Sequence, residues 1–186
     1  MCMAKGGSEL LRDPIAQQLL VSNIPARLAY VWADGTPRVV ALWFHWNGSE
    51  LVMSTFGGAP KLKALRSDDR VAVVIDTNDP PNRMLSIRGP VQVSAVSGVI
   101  AEYASAAIRY LGPEYADGYI RSLPVDVPMA RIALQPEEVL YVGDDPFLDY
   151  QAAKKAGLSS LHLDRSGRFA DHPDKISDLH DLIERL

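Results

Sequence analysis

Two dipeptides, Asp34-Gly35 and Asn47-Gly48, separate three runs rich in β-branched and aromatic residues: ARLAYVWA, PRVVALWFHW and ELVMST. Asp-Gly and Asn-Gly accept the positive φ angles that a tight hairpin turn demands, so each pair of flanking runs is held antiparallel. A parallel pair would need a crossover of about a dozen residues, and neither gap has that length. From Arg27 onward the chain is therefore expected to form a three-stranded antiparallel meander. Asn47-Gly48-Ser49 also has the spelling of a glycosylation acceptor, but no secretory signal accompanies it and a turn is the simpler reading.

Before the meander, Leu10, Leu11, Ile15, Leu19 and Leu20 fall at helical spacing, with Pro14 placed for a first turn. After it, FGGAPKLKALRSDDR reads as a glycine loop leading into a short helix, and VAVVID as a fourth strand. MLSIRGPVQVSAV alternates as a fifth strand or as a fifth and a sixth, with a bulge or kink at Gly89-Pro90. Val99, Ile100, Tyr103, Ala107 and Leu111 mark one face of a helix, a second short helix follows around Tyr115 to Ile120, and MARIALQP returns to strand. The expected fold is mainly β with helices, a small barrel of about six antiparallel strands.

The grammar changes at Pro136. EEVLYVGDD and LSSLHLDR read as apolar strands, and DPFLDYQAAKKAG and KISDLHDLIERL as helices, a β-α-β-α order that points to a parallel sheet. Residues 1–135 are thus expected to form the barrel and 136–186 an appended α/β segment, too small to bury a core of its own. A length of 186 residues with 47% hydrophobic and 23% charged residues suits one such globular unit. Nineteen Lys and Arg against 23 Asp and Glu give a net charge of -4, the wrong sign for nucleic acid or an acidic membrane. The single cysteine, Cys2, allows no internal disulfide, and no apolar run is long enough for a signal peptide or a membrane span; a cytoplasmic location is expected.

The stretch TPRVVALWFHWNGSELVMSTFGGAPKLKALRSDDRVAVVID, followed by IRGPVQV, resembles the pyridoxamine 5'-phosphate oxidase-like family of flavin-binding split barrels. The likeness runs from about Ala16 to Leu134 and rests on the order of Pro37 to Trp43, Asn47-Gly48, Ser54-Thr55, Lys61 and Gly89. It implies a split barrel that forms a homodimer, holds FMN or a deazaflavin coenzyme at the interface, and exchanges electrons or hydride with a small organic substrate. Thr55 and Lys61 match the family's phosphate contacts, with Ser54 and Lys63 beside them; hydroxyls and cations at a strand end suit a dianionic phosphate. Val39, Val40, Ala41, Leu42 and Trp43 form the strand that flanks the flavin ring in the family, and Arg88, next to Gly89 and Ser86, lies on a strand that approaches the cofactor.

Each of these residues also has a plain structural reading. Lys61 and Lys63 suit a solvated helix start, Trp43, Phe44 and Trp46 a core or dimer interface, and His45 a hydrogen-bonded position. Arg88 suits an ion pair with Asp76 as well as it suits a phosphate. No hydrolytic constellation is legible in the barrel, and a flavin enzyme needs none because the cofactor carries the redox chemistry; the catalytic side chains stay unassigned. A non-catalytic protein that binds a flavin or another planar ligand is the alternative on the same barrel.

In the last third, EEVLYVGDDPFLDYQAAKKAGLSSLHLDR resembles the closing part of haloacid-dehalogenase-like hydrolases, where two carboxylates, here Asp144 and Asp149, hold magnesium. That family's Asp-x-Asp nucleophile motif and separate lysine have no counterpart in this sequence. Two carboxylates alone bind Mg2+ weakly, and Asp144 and Asp145 equally suit a helix N-cap. A magnesium-dependent phosphohydrolase is the remaining alternative.

Overall fold

The computed structural model describes residues 11–12, 14–79, 83–143, 154, 161–163 and 174–176. Its elements run α1 (Pro14–Leu20), β1 (Ala26–Val31), β2 (Pro37–Leu42), β3 (Phe44–Trp46), β4 (Leu51–Phe56), α2 (Lys61–Ser67), β5 (Arg70–Asp76), β6 (Arg83–Ser97), α3 (Ala101–Leu111), α4 (Pro113–Ser122), β7 (Pro128–Leu134) and β8 (Glu138–Gly143). Two short strands follow, β9 (His162–Leu163) and β10 (Lys175–Ile176), paired in parallel with each other.

The three-strand meander forms as the turns require. Gly35 and Gly48 take φ of 81° and 99°, β1 pairs antiparallel with β2, and β3 pairs antiparallel with β4. The middle run breaks at Trp43, so its first half serves one neighbour and its second half the other. The long strand β6 divides its pairing in the same way. Residues from Met84 to Pro90 pair with β5, and residues Val91 to Ser97 pair with β7. With the order β2-β1-β5-β6-β7-β4-β3, and with β2 continuing into β3, the sheet curls back on itself as a split barrel.

β6 is one strand of 15 residues, the single-strand form of a run that the sequence leaves open to one strand or two, and the bulge lies in the chain that faces it. Leu134 is opposite Val91 and Glu138 is opposite Arg88, so three residues of the facing chain span two residues of β6. The Gln135 N–H donates to the Pro90 carbonyl and the Glu137 N–H to the Arg88 carbonyl, which keeps the ladder bonded across the bulge. β8, read from the sequence as the first strand of the appended segment, therefore pairs antiparallel with β6 of the barrel. Lys175 and Ile176, expected at the start of the final helix, form strand β10 instead. Of the expected helix DPFLDYQAAKKAG only Lys154 is described, and it is helical.

Strand alternation sends Leu28, Tyr30, Leu51, Met53, Val71, Val73, Ile75, Leu85, Ile87, Ile132 and Leu134 into one core. α1 adds Ala16, Leu19 and Leu20 to that core, and α2 adds Leu62, Ala64 and Leu65. Pro14 opens α1 at the first helical turn, where its missing N–H costs nothing.

Gly89 is the residue on which the bulge depends. A Cβ built there would stand 1.9 Å from the Gln135 carbonyl oxygen, a backbone atom that cannot swing aside. We predict that Gly89→Ala costs about 3 kcal/mol in a urea unfolding titration, through forced displacement of the bulge. Gly35→Ala, where only the positive φ is strained and no atom lies within 4 Å, should cost about 1 kcal/mol. Equal losses at the two positions would show that the close approach carries no special weight.

Candidate functional site

The residues that the sequence singles out fall on two faces of the barrel. In β2, Val40 and Leu42 turn inward against the core, while Val39 and Ala41 point out and are exposed. The register places Val39 opposite Ala29, Ala29 opposite Ala72, and Val74 opposite Ser86. Small apolar side chains thus line the outer face of β2, β1 and β5, with Arg27 standing between Ala41 and Val74. α1 and α2 contact this half of the sheet but insert their apolar residues into the core. The surface is framed by ion pairs of Arg27 with Asp76, Arg38 with Asp34 (3.9 Å) and Arg88 with Glu138 (3.2 Å). Arg88 pairs with Glu138 across β6 and β8, and Asp76 is held by Arg27.

Ser54 and Thr55 face opposite sides of β4, as successive strand residues do. Thr55 shares the parity of Leu51 and Met53 at the end of β4, where the chain leaves for α2. Ser54 is buried on the outer face and lies opposite Arg131 of β7. Lys61 starts α2 half-buried, and burial pushes its ammonium below the ordinary lysine range. No carboxylate among the described residues lies within ion-pair distance of Lys61. Lys63 lies on the exposed face of the same helix. Asp144 and Asp149 lie outside the described residues, and no group of three metal-binding side chains occurs among those described.

Trp43, half-buried at the break between β2 and β3, is flanked by tyrosines. Tyr110 of α3 lies flat against it, with ring centroids 5.2 Å apart and planes 6° apart. Tyr103 of α3 and Tyr119 of α4 approach to 6.0 and 6.1 Å, and their hydroxyls share a hydrogen bond of 2.8 Å. Burial, followed by that bond, pushes the Tyr103 phenol well above its ordinary value. Phe44 is fully buried beneath the Arg109 guanidinium, 4.5 Å from the ring centroid, so it belongs to the core.

Sequence reasoning missed the charge network beneath α3. The Arg131 Nη2 donates to the Glu50 Oε2 at 2.7 Å, and the Arg131 Nε donates to the Glu102 Oε1 at 3.0 Å. The readable signal was an arginine inside the apolar run MARIAL, since a half-buried guanidinium demands carboxylate partners. The Arg131 hydrogen bond holds the Glu50 carboxyl below its ordinary value. For Glu102 burial acts to raise the value, but its own backbone N–H and Arg131 prevail and hold it low.

The sequence profile of the pyridoxamine 5'-phosphate oxidase family matches residues 13–143, the barrel from α1 to the end of β8. The chain belongs to this family. Among solved structures, an F420 reductase is 30% identical with a TM-score of 0.54, over 67% of this chain and 94% of that one. An FMN-binding protein from Nostoc punctiforme, related to pyridoxamine 5'-phosphate oxidase, is 16% identical with a TM-score of 0.51, over 72% of this chain and 83% of that one. The heme storage protein HutZ from Vibrio cholerae is 18% identical with a TM-score of 0.50, over 71% and 94% of the two chains. No curated protein sequence matches the chain. No described helix is long and apolar enough to cross a membrane.

The Arg131 network makes a pH prediction for this family member. Glu50 and Glu102 have folded values below the ordinary 4.5, so their contribution is complete above that value and is lost as pH falls through the folded values. Arg131→Met should cost about 2 kcal/mol at neutral pH. It should also flatten or reverse the acid-side fall in the urea midpoint, because two neighbouring carboxylates without a cation gain from protonation. An unchanged acid limb would remove these residues from the pH dependence.

Proposed function

We propose that the protein is a flavin-dependent or deazaflavin-dependent oxidoreductase that works as a homodimer and exchanges electrons or hydride with a small organic substrate. The carrying observation is Lys61, a half-buried cation with no carboxylate partner among the described residues, its charged form disfavoured by burial. Such an ammonium is relieved by an anionic group, and the phosphate of FMN or of a deazaflavin coenzyme is one. The family profile and the 30% identity to an F420 reductase support the same assignment.

In this reading the chain's own residues bind and orient. Lys61 supplies a charge-assisted bond to the phosphate, and Thr55, at the strand end that leads to α2, adds a hydroxyl donor. Val39 and Ala41 offer an apolar wall for a planar ring, with Arg27 opposite Ala41 at its border. When bound, the isoalloxazine or deazaflavin ring supplies the redox chemistry itself. Lys63 contributes long-range attraction from its exposed position. Arg88 and Ser54 are assigned no direct contact, because Arg88 already holds Glu138 and Ser54 is buried opposite Arg131. The second copy packs on the outer surface of Ala29, Val31, Val39, Ala41, Ala72 and Val74, where Val39 is 64% exposed and Val31 41%.

Titration with FMN and with the deazaflavin, followed by fluorescence, tests the reading and chooses between the two. Lys61→Ala should weaken binding by about 1.5 to 3 kcal/mol, or roughly 10- to 150-fold in Kd. Lys61→Arg should retain most of the affinity. No binding of either cofactor, or binding indifferent to Lys61, would overturn the assignment. Val39→Asp should convert the protein to a monomer in sedimentation velocity, and an unaltered dimer would place the second copy elsewhere.

A further inference from the structure

Asn47-Gly48 is the one asparagine–glycine step in the chain; the other asparagines precede Ile24, Asp79 and Arg83. The amide carbon of an asparagine side chain is open to attack by the backbone nitrogen that follows it, and glycine, with no Cβ, hinders that attack least. The Gly48 N–H makes no hydrogen bond among the described residues, and a Cβ there would meet nothing within 4 Å. Asn47, Gly48 and Ser49 are all exposed. The nucleophile of this reaction is therefore uncovered.

The side chain it would attack is restrained. The Asn47 Oδ1 accepts from the Ser49 N–H at 3.0 Å, the Ser49 hydroxyl at 3.1 Å and the Glu50 N–H at 2.8 Å, and the Asn47 Nδ2 donates to the Glu50 Oε2 at 3.3 Å. While Oδ1 is held by N–H groups two and three residues further on, Cγ is kept from turning to the Gly48 nitrogen. The same Glu50 Oε2 accepts from the Arg131 Nη2, and the Arg131 Nε donates to Glu102 in the first turn of α3. The turn between β3 and β4 is thus tied, through one carboxylate, to β7 and α3. β3 ends the order of the sheet and has three residues, so its own ladder holds the turn shut only weakly and the tie to Arg131 supplies the rest.

We propose that Asn47 is a site of spontaneous deamidation gated by the Arg131 network: the side chain is held unreactive while Glu50 is bound to Arg131, and it reacts when that tie opens. In the reaction a base removes the Gly48 amide proton, the nitrogen bonds to the Asn47 Cγ, and Nδ2 leaves as ammonia. A water molecule then opens the cyclic imide and leaves either an aspartate or an isoaspartyl link, with no change of oxidation state. The new carboxylate stands where Nδ2 stood, against the Glu50 Oε2, so repulsion between like charges replaces a hydrogen bond. Glu50 is pushed off Arg131, and the product keeps open the tie whose opening allowed it to form.

The test follows conversion of Asn47 by peptide mass mapping of the full-length protein in mildly alkaline buffer, folded or unfolded in urea. In urea Asn47 should convert faster than Asn23, Asn78 and Asn82, and in the folded protein roughly tenfold or more slowly than in urea. Glu50→Gln and Arg131→Met should each raise the folded rate by roughly three- to tenfold and leave the rate in urea unchanged. Gly35→Ala, which strains a different hairpin, should leave the folded rate at the wild-type value and so separates the local tie from a loss of global stability. A folded rate equal to that in urea, a rate indifferent to Glu50 and Arg131, or the same acceleration from Gly35→Ala would overturn the proposal. Asn47→Asp carries the charge of the product without the rearranged backbone. It should lower the urea midpoint, and in a Glu50→Gln background that loss should vanish. An equal loss in both backgrounds would overturn the action of the product on Glu50.

Discussion

The approach of the Gln135 carbonyl to Gly89 is the contact on which the architecture rests. It allows the chain from β7 to β8 to follow one edge of β6 with one residue more than β6 itself supplies. Without that slack, β6 could not turn from the half of the sheet that contains β5 to the half that contains β4. The break at Trp43 does the complementary work on the opposite side of the barrel, passing one run from β1 to β4. Two interruptions, one at Gly89 and one at Trp43, close a sheet that would otherwise stay open with two exposed edges.

Closure gives the two halves different outer faces. On β3, β4 and β7 that face carries a buried serine and a half-buried arginine, and α3 covers it, with Glu102 neutralising part of the arginine's charge. On β1, β2 and β5 it carries alanines and valines ringed by ion pairs between partly exposed side chains. Exposed pairs of that kind add little to stability, about 0 to 1 kcal/mol each.

Much of this was legible because the decisive signals are local. Asp34-Gly35 and Asn47-Gly48 announce hairpins through φ alone, and both glycines have the positive φ expected. The two helices after β6 follow from apolar spacing, and the family motif from Pro37 to Lys61 led to the correct barrel. The errors lie where the outcome depends on pairing between distant segments. Gly89-Pro90 was read as a bulge in its own strand, when the extra residue sits at 135–137 on the partner strand. The run at 139–142 looks like a parallel strand because its residues are apolar in succession, and periodicity does not say which neighbour it will find. Ser54 and Thr55 are adjacent in sequence and on opposite faces of β4, a separation that follows from strand alternation once the strand is known. Arg88 lay within reach of several carboxylates, and only the β6–β8 register selects Glu138.

The same logic ranks the cations as anion ligands. Arg27, Arg38, Arg70, Arg88 and Arg131 each stand against a carboxylate, so an incoming phosphate would have to displace a partner already in place. Displacement cancels most of what the new bond contributes, since a charge-assisted bond is exchanged for another of similar strength. Lys61 forms no such pair among the described residues and is already partly dehydrated, so less water must be removed when an anion arrives. Burial disfavours the charged ammonium and a phosphate would favour it, so binding should return the amine toward its ordinary range and take up protons at alkaline pH. A basic side chain is a credible phosphate ligand to the degree that its own protein has left it unsatisfied, and in the described barrel that criterion separates Lys61 from the paired arginines more sharply than position in the sequence does.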